Sequence, residues 1–343
     1  MNIFAIIKKK VFIIAEAGVN HNGDLKLAKN LVDVAKESGA DAVKFQSFRA
    51  ERLVSIDTPK VEYQKSLTNK KESHYQMIKK LEISEEFQKK LFDYCKKKDI
   101  LFISTSYDVE SAKFLNRLGV RVFKIASADI IDIPLHEYVA STKKPTIISV
   151  GMATLDEIKK TLNIYRKYKN RNAILLHCTS NYPASYKSLN LKVINTLQKE
   201  FDILVGYSDH SLKNYAGIIS TALGSRVIEK HFTLDRAMPG PDHKASMEPD
   251  ELKEFIKDIR LTELILGNGK KTVQLEEKSM KQISRKSLVA NEEIKKGQII
   301  KKEMLTLKRP GTGLKWEERK QIIGKRARKN ISKDQLITIN LTK

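Results

Sequence analysis

The chain has 343 residues, with 64 Lys and Arg against 41 Asp and Glu, a formal net charge of +23. Hydrophobic residues make up 41% and charged residues 31%, proportions of a soluble globular protein that exclude wholesale disorder, collagen-like repeats and low-complexity character. The length suits one large domain plus a small one, because a single core rarely grows beyond roughly 250–300 residues.

No apolar run approaches the ~20 residues that span a bilayer. The Ile3–Ile7 stretch is too short for a signal-peptide core and is cut off by Lys8, Lys9 and Lys10, so a cytoplasmic protein is expected. Cys95 and Cys178 make neither a disulfide framework nor a CxxC metal site; two reduced, buried thiols are expected. The basic excess is uneven: residues 270–343 hold 21 Lys and Arg against 8 Asp and Glu, a net +13 that leaves +10 for the rest. Such a charge suits anionic substrates, a Lys-rich bias, or a nucleic-acid or membrane-surface partner. The clusters at Lys8–Lys10, Lys96–Lys98 and Lys295–Lys296 sit among acidic residues or at element ends, and none alternates with stacking aromatics. Neither a nucleic-acid nor a membrane partner is expected.

Along the first 270 residues, short β-rich runs alternate with longer amphipathic segments. The runs are Val11–Glu16, Asp41–Gln46, Ile100–Ser104, Val122–Ala126, Pro145–Val150, Ala173–Cys178, Ile203–Tyr207 and Arg226–His231. Between them, stretches such as Leu25–Ser38, Glu85–Lys98, Val109–Leu118, Leu155–Tyr168 and Tyr215–Leu223 repeat apolar residues at i, i+3, i+4 and i+7, as a helix laid on a sheet does. Asp24 and Ser84 stand as N-caps. Eight strands, each followed by a helical segment, predict a parallel (β/α)8 TIM barrel over residues 1–268. An open doubly wound sheet usually opens on a GxGxxG turn, absent here.

Gly267 to Ser284 is polar and weakly patterned, so residues 269–284 read as a linker. Residues 285–343 read as short strands and turns around Leu288, Val289, Ile294, Ile299, Ile300, Leu305, Leu307, Ile322, Ile323, Ile331, Leu336 and Ile337. The phrases EEIKKGQII (292–300) and NISKDQLIT (330–338) repeat a turn between two β-like stretches. So small a module is marginal alone, and it is expected to lean on the barrel or on a second chain.

In such a barrel the active site lies at the C-terminal strand ends, and there the polar residues gather: Glu16 with Asn20 and His21; Lys44 and Gln46; Ser104 and Thr105; Lys124, Ser127 and Asp129; Ser149; Cys178, Thr179 and Ser180; Ser208, Asp209 and His210; Glu229 and His231. Each run is apolar a few residues earlier. His210 and His231, on neighbouring strands, either converge on one Mn²⁺-, Fe²⁺- or Zn²⁺-like Lewis acid or are two satisfied core histidines. Lys44 and Lys124 with hydroxyls at Thr105, Ser127, Ser149, Ser180 and Ser208 form an anion cradle for phosphate or carboxylate. Glu16 and Asp129 are either acid/base groups or structural ion-pair partners of those lysines.

The motifs AEAGVNHNG (15–23), AVKFQ (42–46), FISTSY (102–107), FKIASAD (123–129), IISVGM (147–152), HCTSNYP (177–183), GYSDHS (206–211), IEKHFTLD (228–235), PGPDHKAS (239–246) and LKRPGTG (307–313), in this order, resemble those of the sialic acid synthase family, legionaminate and pseudaminate synthases included. The resemblance implies a TIM barrel followed by a small antifreeze-like (SAF) domain. It implies condensation of phosphoenolpyruvate with an N-acyl hexosamine, either N-acetylmannosamine or a 2,4-diacetamido-6-deoxyhexose. The family's metal ligands, most often holding Mn²⁺, fall on His210 and His231. Its phosphoenolpyruvate positions fall on Lys44, Thr105, Lys124, Ser127, Ser149, Ser180 and Ser208, and its sugar-side positions on Glu16, Gln46, Tyr182 and Asp242. An arginine donated by the partner subunit's SAF domain, in a homodimer, falls on Arg309, beside the flexible glycines Gly311 and Gly313. Asp129 stands where the family commonly has Glu, Ser180 where some members have Asn, and Arg49–His74 departs from the family pattern. Two other readings remain: another phosphoenolpyruvate-dependent sugar-acid synthase, and an inactive carbohydrate-binding barrel.

Overall fold

The strand period of two explains the barrel. Stepping by two along each apolar run keeps one face of the strand, and that face turns inward: Phe12 and Ile14 lead to Glu16, Ala42 to Lys44, Ile103 to Thr105, Val122 to Lys124, Ile147 to Ser149, and Val227 to Glu229 and His231. In the computed structural model, which describes residues 3–60 and 72–343, the runs form β1 (Phe12–Gly18), β2 (Ala42–Ser47), β3 (Leu101–Ser106), β4 (Phe123–Ile125), β5 (Thr146–Ser149), β6 (Ala173–His177), β7 (Leu204–Asp209) and β8 (Val227–His231). Of the divergent stretch Arg49–His74, residues 61–71 lie outside the described residues. Each strand pairs in parallel with the next and β8 closes on β1, Glu16 opposite His231. The expected boundaries agree within two residues.

The inward apolar residues fill the lower barrel as one cluster. Ile3 and Ile7 of a short helix (Ile3–Ile7) join it. The stretch that is too short for a signal-peptide core thus has a structural role, as a plug under the barrel. A second, larger cluster lies between the outward strand residues, such as Ile13, Val43 and Phe45, and the helices wrapped round them. Asp24 caps Leu25–Glu37 by accepting from the Lys26 and Leu27 N–H groups, and Ser84 caps Glu85–Lys97 through the Phe87 N–H. Among its described residues, the β2–β3 connection carries two helices before Glu85–Lys97, namely Ala50–Leu53 and His74–Leu81. Their apolar side chains form a cluster of their own with Val19 and Phe48. No helix among the described residues is long and apolar enough to cross a membrane, and Cys95 and Cys178 are free and buried.

The chain divides into two compact units, Met1–Gly267 and Asn268–Lys343. The small unit has its own buried cluster of Leu288, Ala290, Ile294, Ile300, Leu305, Ile322, Ala327, Ile331, Ile337 and Leu341. The two repeated phrases pair with each other, Ile294 and Ile331 exchanging backbone hydrogen bonds of 2.9 and 2.8 Å. Ile299, expected in this core, is 42% exposed, because it alternates with buried Ile300. The expected linker is also not all irregular: Glu277–Ser284 is a helix. It is only eight residues long, and its two apolar side chains, Met280 and Ile283, are exposed.

That helix bears on the LKRPGTG loop. The Gly311 N–H donates to the Gln282 carbonyl at 2.7 Å, and a Cβ at Gly311 would lie 2.6 Å from Arg285 Cβ. The Ser287 hydroxyl donates to the Pro310 carbonyl at 2.7 Å and accepts from the Gly313 N–H at 2.8 Å. The glycines next to Arg309 therefore serve close packing rather than flexibility.

Candidate active site

Above the apolar layers, the inward face of the barrel turns polar and opens into a cavity of about 600 Å³, within the ~300–1,000 Å³ range of small-molecule sites. Of the barrel residues singled out in the sequence, it is lined by Glu16, Lys44, Gln46, Thr105, Lys124, Ser127, Asp129, Ser149, Cys178, Ser180, Tyr182, Ser208, His210, Glu229, His231 and Asp242. Asn20, His21, Ser104, Thr179 and Asp209 do not line it; Ser104 meets Ser47 and Asp209 pairs with Lys230. Arg309 belongs to the small unit, where it is exposed.

The floor is a chain of buried charges. Lys44 Nζ lies 2.8 Å from Glu16 Oε2 and donates to Thr105 Oγ1 at 2.9 Å. Lys124 Nζ donates to Ser149 Oγ at 2.7 Å. Between the two ammoniums sits Glu229, 3.7 Å from Lys44 and 3.9 Å from Lys124, accepting a 2.9 Å bond from Ser208. The sequence put Glu229 at a strand end but gave it no role. Parity with His231, two residues on, is the signal that places it inside the barrel. Burial alone would raise the Glu229 carboxyl, but Lys124 and Lys44 outweigh burial and hold it down at about 2. Burial depresses Lys124, whereas the carboxylates of Glu16 and Glu229 carry Lys44 upward against burial.

The other carboxyls of the cavity behave oppositely. Burial pushes Glu16 up to about 7 despite the pull of Lys44. Asp129 also rises to about 7, by burial and then by Asp132, and its Oδ2 is buried with no hydrogen-bond partner. Asp242 rises to about 6 by burial. Carboxyls poised near neutrality can both hold and give up a proton at working pH. Ser127 accepts from the Gly151 N–H at 2.9 Å. A Cβ at Gly151 would come within 2.4 Å of Ser180 Oγ, so a glycine keeps this side of the cavity open.

His210 and His231 stand with ring centroids 5.7 Å apart, and the Tyr182 ring lies 4.1 Å from His210. His210 Nδ1 donates to the Thr179 carbonyl at 2.7 Å, which leaves Nε2 with its lone pair. Ser208 lies 3.3 Å from that Nε2, but its single proton serves Glu229 at the shorter distance. Burial lowers His210 to about 4. Burial and the neighbouring His210 keep His231 well below its ordinary value. Two neutral imidazoles in one cavity, with His231 Nδ1 buried and unpartnered, are a donor set that a divalent transition-metal cation accepts. Among the described residues no group of three or more His, Cys, Asp or Glu side chains forms a ready cage, so the remaining ligands would be water or substrate oxygens.

The NeuB family profile matches residues 31–271, and the SAF domain profile matches residues 285–341. The chain belongs to the NeuB family. It is 47% identical to the N,N'-diacetyllegionaminic acid synthase of Campylobacter jejuni subsp. jejuni serotype O:2, over 96% of this chain and 99% of that protein. It is 46% identical to the enzyme of the same name from Legionella pneumophila, over 94% and 91%. Among solved structures, the N-acetylneuraminic acid (sialic acid) synthetase of Leptospira borgpetersenii in complex with citrate matches with TM-score 0.72 and 37% identity, over 79% of this chain and 90% of that chain. The expected TIM barrel with a C-terminal SAF domain is thus the fold of this NeuB family chain.

The charge balance of the floor yields a prediction. Glu229→Gln removes the carboxylate between two buried ammoniums, and breaking a buried pair in this way costs about 3–5 kcal/mol. Chemical denaturation should show that loss, with partial recovery on adding inorganic phosphate. A loss below about 1 kcal/mol would mean that Glu229 does not balance the lysines.

Proposed function

We propose that the chain is a nonulosonic acid synthase that condenses phosphoenolpyruvate with the open-chain aldehyde of an N-acyl hexosamine and releases phosphate. The observation that carries this reading is the pair of buried lysines, Lys44 and Lys124, in one cavity with neutral His210 and His231. The names of the similar enzymes support it.

Lys44 and Lys124, with Thr105, Ser127, Ser149, Ser180 and Ser208, hold the carboxylate and phosphate of phosphoenolpyruvate. Glu16, Gln46, Tyr182 and Asp242 hold the sugar. The C2–C3 π pair of phosphoenolpyruvate forms a bond from C3 to the aldehyde carbon, leaving C2 cationic, and the aldehyde oxygen takes a proton from Glu16 or Asp129 in its protonated form. Water adds to C2, and the tetrahedral intermediate breaks its C2–O bond to expel phosphate. Asp129 or Glu16 takes the proton from the incoming water, since both carboxyls sit near 7. A divalent cation, which we assign as Mn²⁺, held by His210 and His231 would supply Lewis acidity at the aldehyde oxygen. Two free buried thiols suit a reducing cytoplasm.

The assay is phosphate release from phosphoenolpyruvate with and without an N-acyl hexosamine. Release should need both, stop with chelator and return with Mn²⁺. A base works ionised, so the rate should climb as pH rises through about 7. Asp129→Asn should flatten that limb and lower kcat by ~10²–10⁴ with less effect on KM. Release without the sugar, or full activity in chelator, contradicts the reading.

We further propose a homodimer in which the small unit of one chain caps the other chain's cavity and Arg309 meets substrate oxygens. Arg309 is exposed on a loop fixed by Ser287, and guanidinium suits bidentate contact with oxyanions. Mixing inactive His210→Ala and Arg309→Ala chains should regenerate activity through one intact site per mixed dimer. No recovery despite verified subunit exchange means that Arg309 does not act in trans.

A further inference from the structure

Each imidazole of the cavity directly follows a charged residue that points the other way. Asp209, before His210, and Lys230, before His231, stand opposite each other in the β7–β8 register. By strand parity they face outward, away from the cavity that Ser208 and Glu229 line. Behind the barrel wall they form an ion pair, Lys230 Nζ lying 2.9 Å from Asp209 Oδ2 with both side chains at most 1% exposed. Nothing in the proposed chemistry uses this pair.

Stability does not explain it. Well-packed apolar residues of like volume often serve as well as a buried ion pair, or better. What the pair supplies is a single permitted geometry, because in any other each charge is buried and uncompensated. That geometry reaches past the strand. Asp209 Oδ1 accepts from the Ser211 N–H at 2.8 Å and from the Ser211 hydroxyl at 2.7 Å, an Asx turn with His210 as its middle residue. Lys230 donates to the Ser211 carbonyl as well as to Asp209. Its ammonium also lies 5.7 Å from the centre of the Phe255 ring, on the helix Pro249–Leu266. A pair that only kept two strands in register would stop at Asp209. This one grips both backbone polar groups of the residue after His210. The neighbour of His231 on β8 therefore holds the turn that carries His210.

We infer that Asp209 and Lys230 are positioning residues: the buried pair, clamped on Ser211, sets the His210 ring against the His231 ring so that both imidazoles serve one divalent cation. The inference rests on the proposed pairing of those imidazoles round a cation.

The test reads the imidazole and the cation separately, in the intact protein and in folded Lys230→Met, Asp209→Asn and the double variant Asp209→Leu/Lys230→Met. Nuclear magnetic resonance of histidine-labelled protein follows the His210 Nδ1–H held by the Thr179 carbonyl, assigned by its loss in His210→Gln. Mn²⁺ alone, with neither substrate present, is titrated by electron paramagnetic resonance. Each variant should shift or broaden that resonance and weaken Mn²⁺ binding by ~10–100-fold. The apolar double variant separates positioning from stability: it should melt at or above the temperature of Lys230→Met and still lack the native resonance and affinity. Asp209→Asn is nearly isosteric, so it stays informative should the lysine variants fail to fold. A native resonance with native Mn²⁺ affinity in any folded variant means that the pair is structural only, and overturns the inference. If the intact protein binds no Mn²⁺, the cation assignment falls, and the resonance alone decides whether the pair positions His210.

Discussion

Two lysines buried in the middle of a closed barrel set the terms for everything round them. An ammonium taken out of water is costly unless charge and hydrogen bonds replace its hydration. Here the replacements are Glu16 and Thr105 for Lys44, Ser149 for Lys124, and Glu229 between the two. These partners come from β1, β3, β5 and β8, so the balance exists only when the barrel is closed and in register. The apolar layers beneath, with the Ile3–Ile7 plug, exclude water from below and leave the open top as the route for solvent and ligand. The cost of burying the cations is thus tied to the fold, and an anionic ligand entering from the top meets cations already desolvated.

The same burial divides the carboxyls into two kinds. Glu229, touched by both ammoniums, stays ionised. Asp129, whose Oδ2 finds no partner, and Glu16 are lifted toward neutrality. One group is therefore a fixed charge and the others are carboxyls that can gain or lose a proton near neutrality, with no difference of residue type needed. The environment does the sorting, and it does so within a single cavity.

Much of this was legible in the sequence because the strand period is short and strict. Once eight runs were recognised, strand parity decided which polar residue at each end faces the cavity: Glu16, Lys44, Thr105, Lys124, Ser149, Ser208 and His231 line it, while Ser104 and Asp209, one residue out of step, pair outside it with Ser47 and Lys230. Glu229 needed only the same parity argument. The apolar wall of the cavity was not legible: Phe48, Met77 and Ile78 look like core residues in any linear reading, and only the fold shows that they face the cavity. The Glu277–Ser284 helix was missed because it is short, eight residues with Met280 and Ile283 as its apolar positions, in a stretch that is otherwise polar. The fixed LKRPGTG loop depends on Ser287, more than twenty residues away from Pro310, a contact that no local pattern encodes.

The central claim is that Lys44 and Lys124 are a preformed seat for the anionic substrate, and titration calorimetry tests it most directly. Phosphoenolpyruvate should bind the intact protein in the absence of any sugar. Charge-assisted hydrogen bonds are each worth about 1.5–3 kcal/mol, so Lys44→Met and Lys124→Met should each weaken that binding by ~10–100-fold while the protein stays folded. Binding of undiminished affinity in folded Lys124→Met protein would contradict the account.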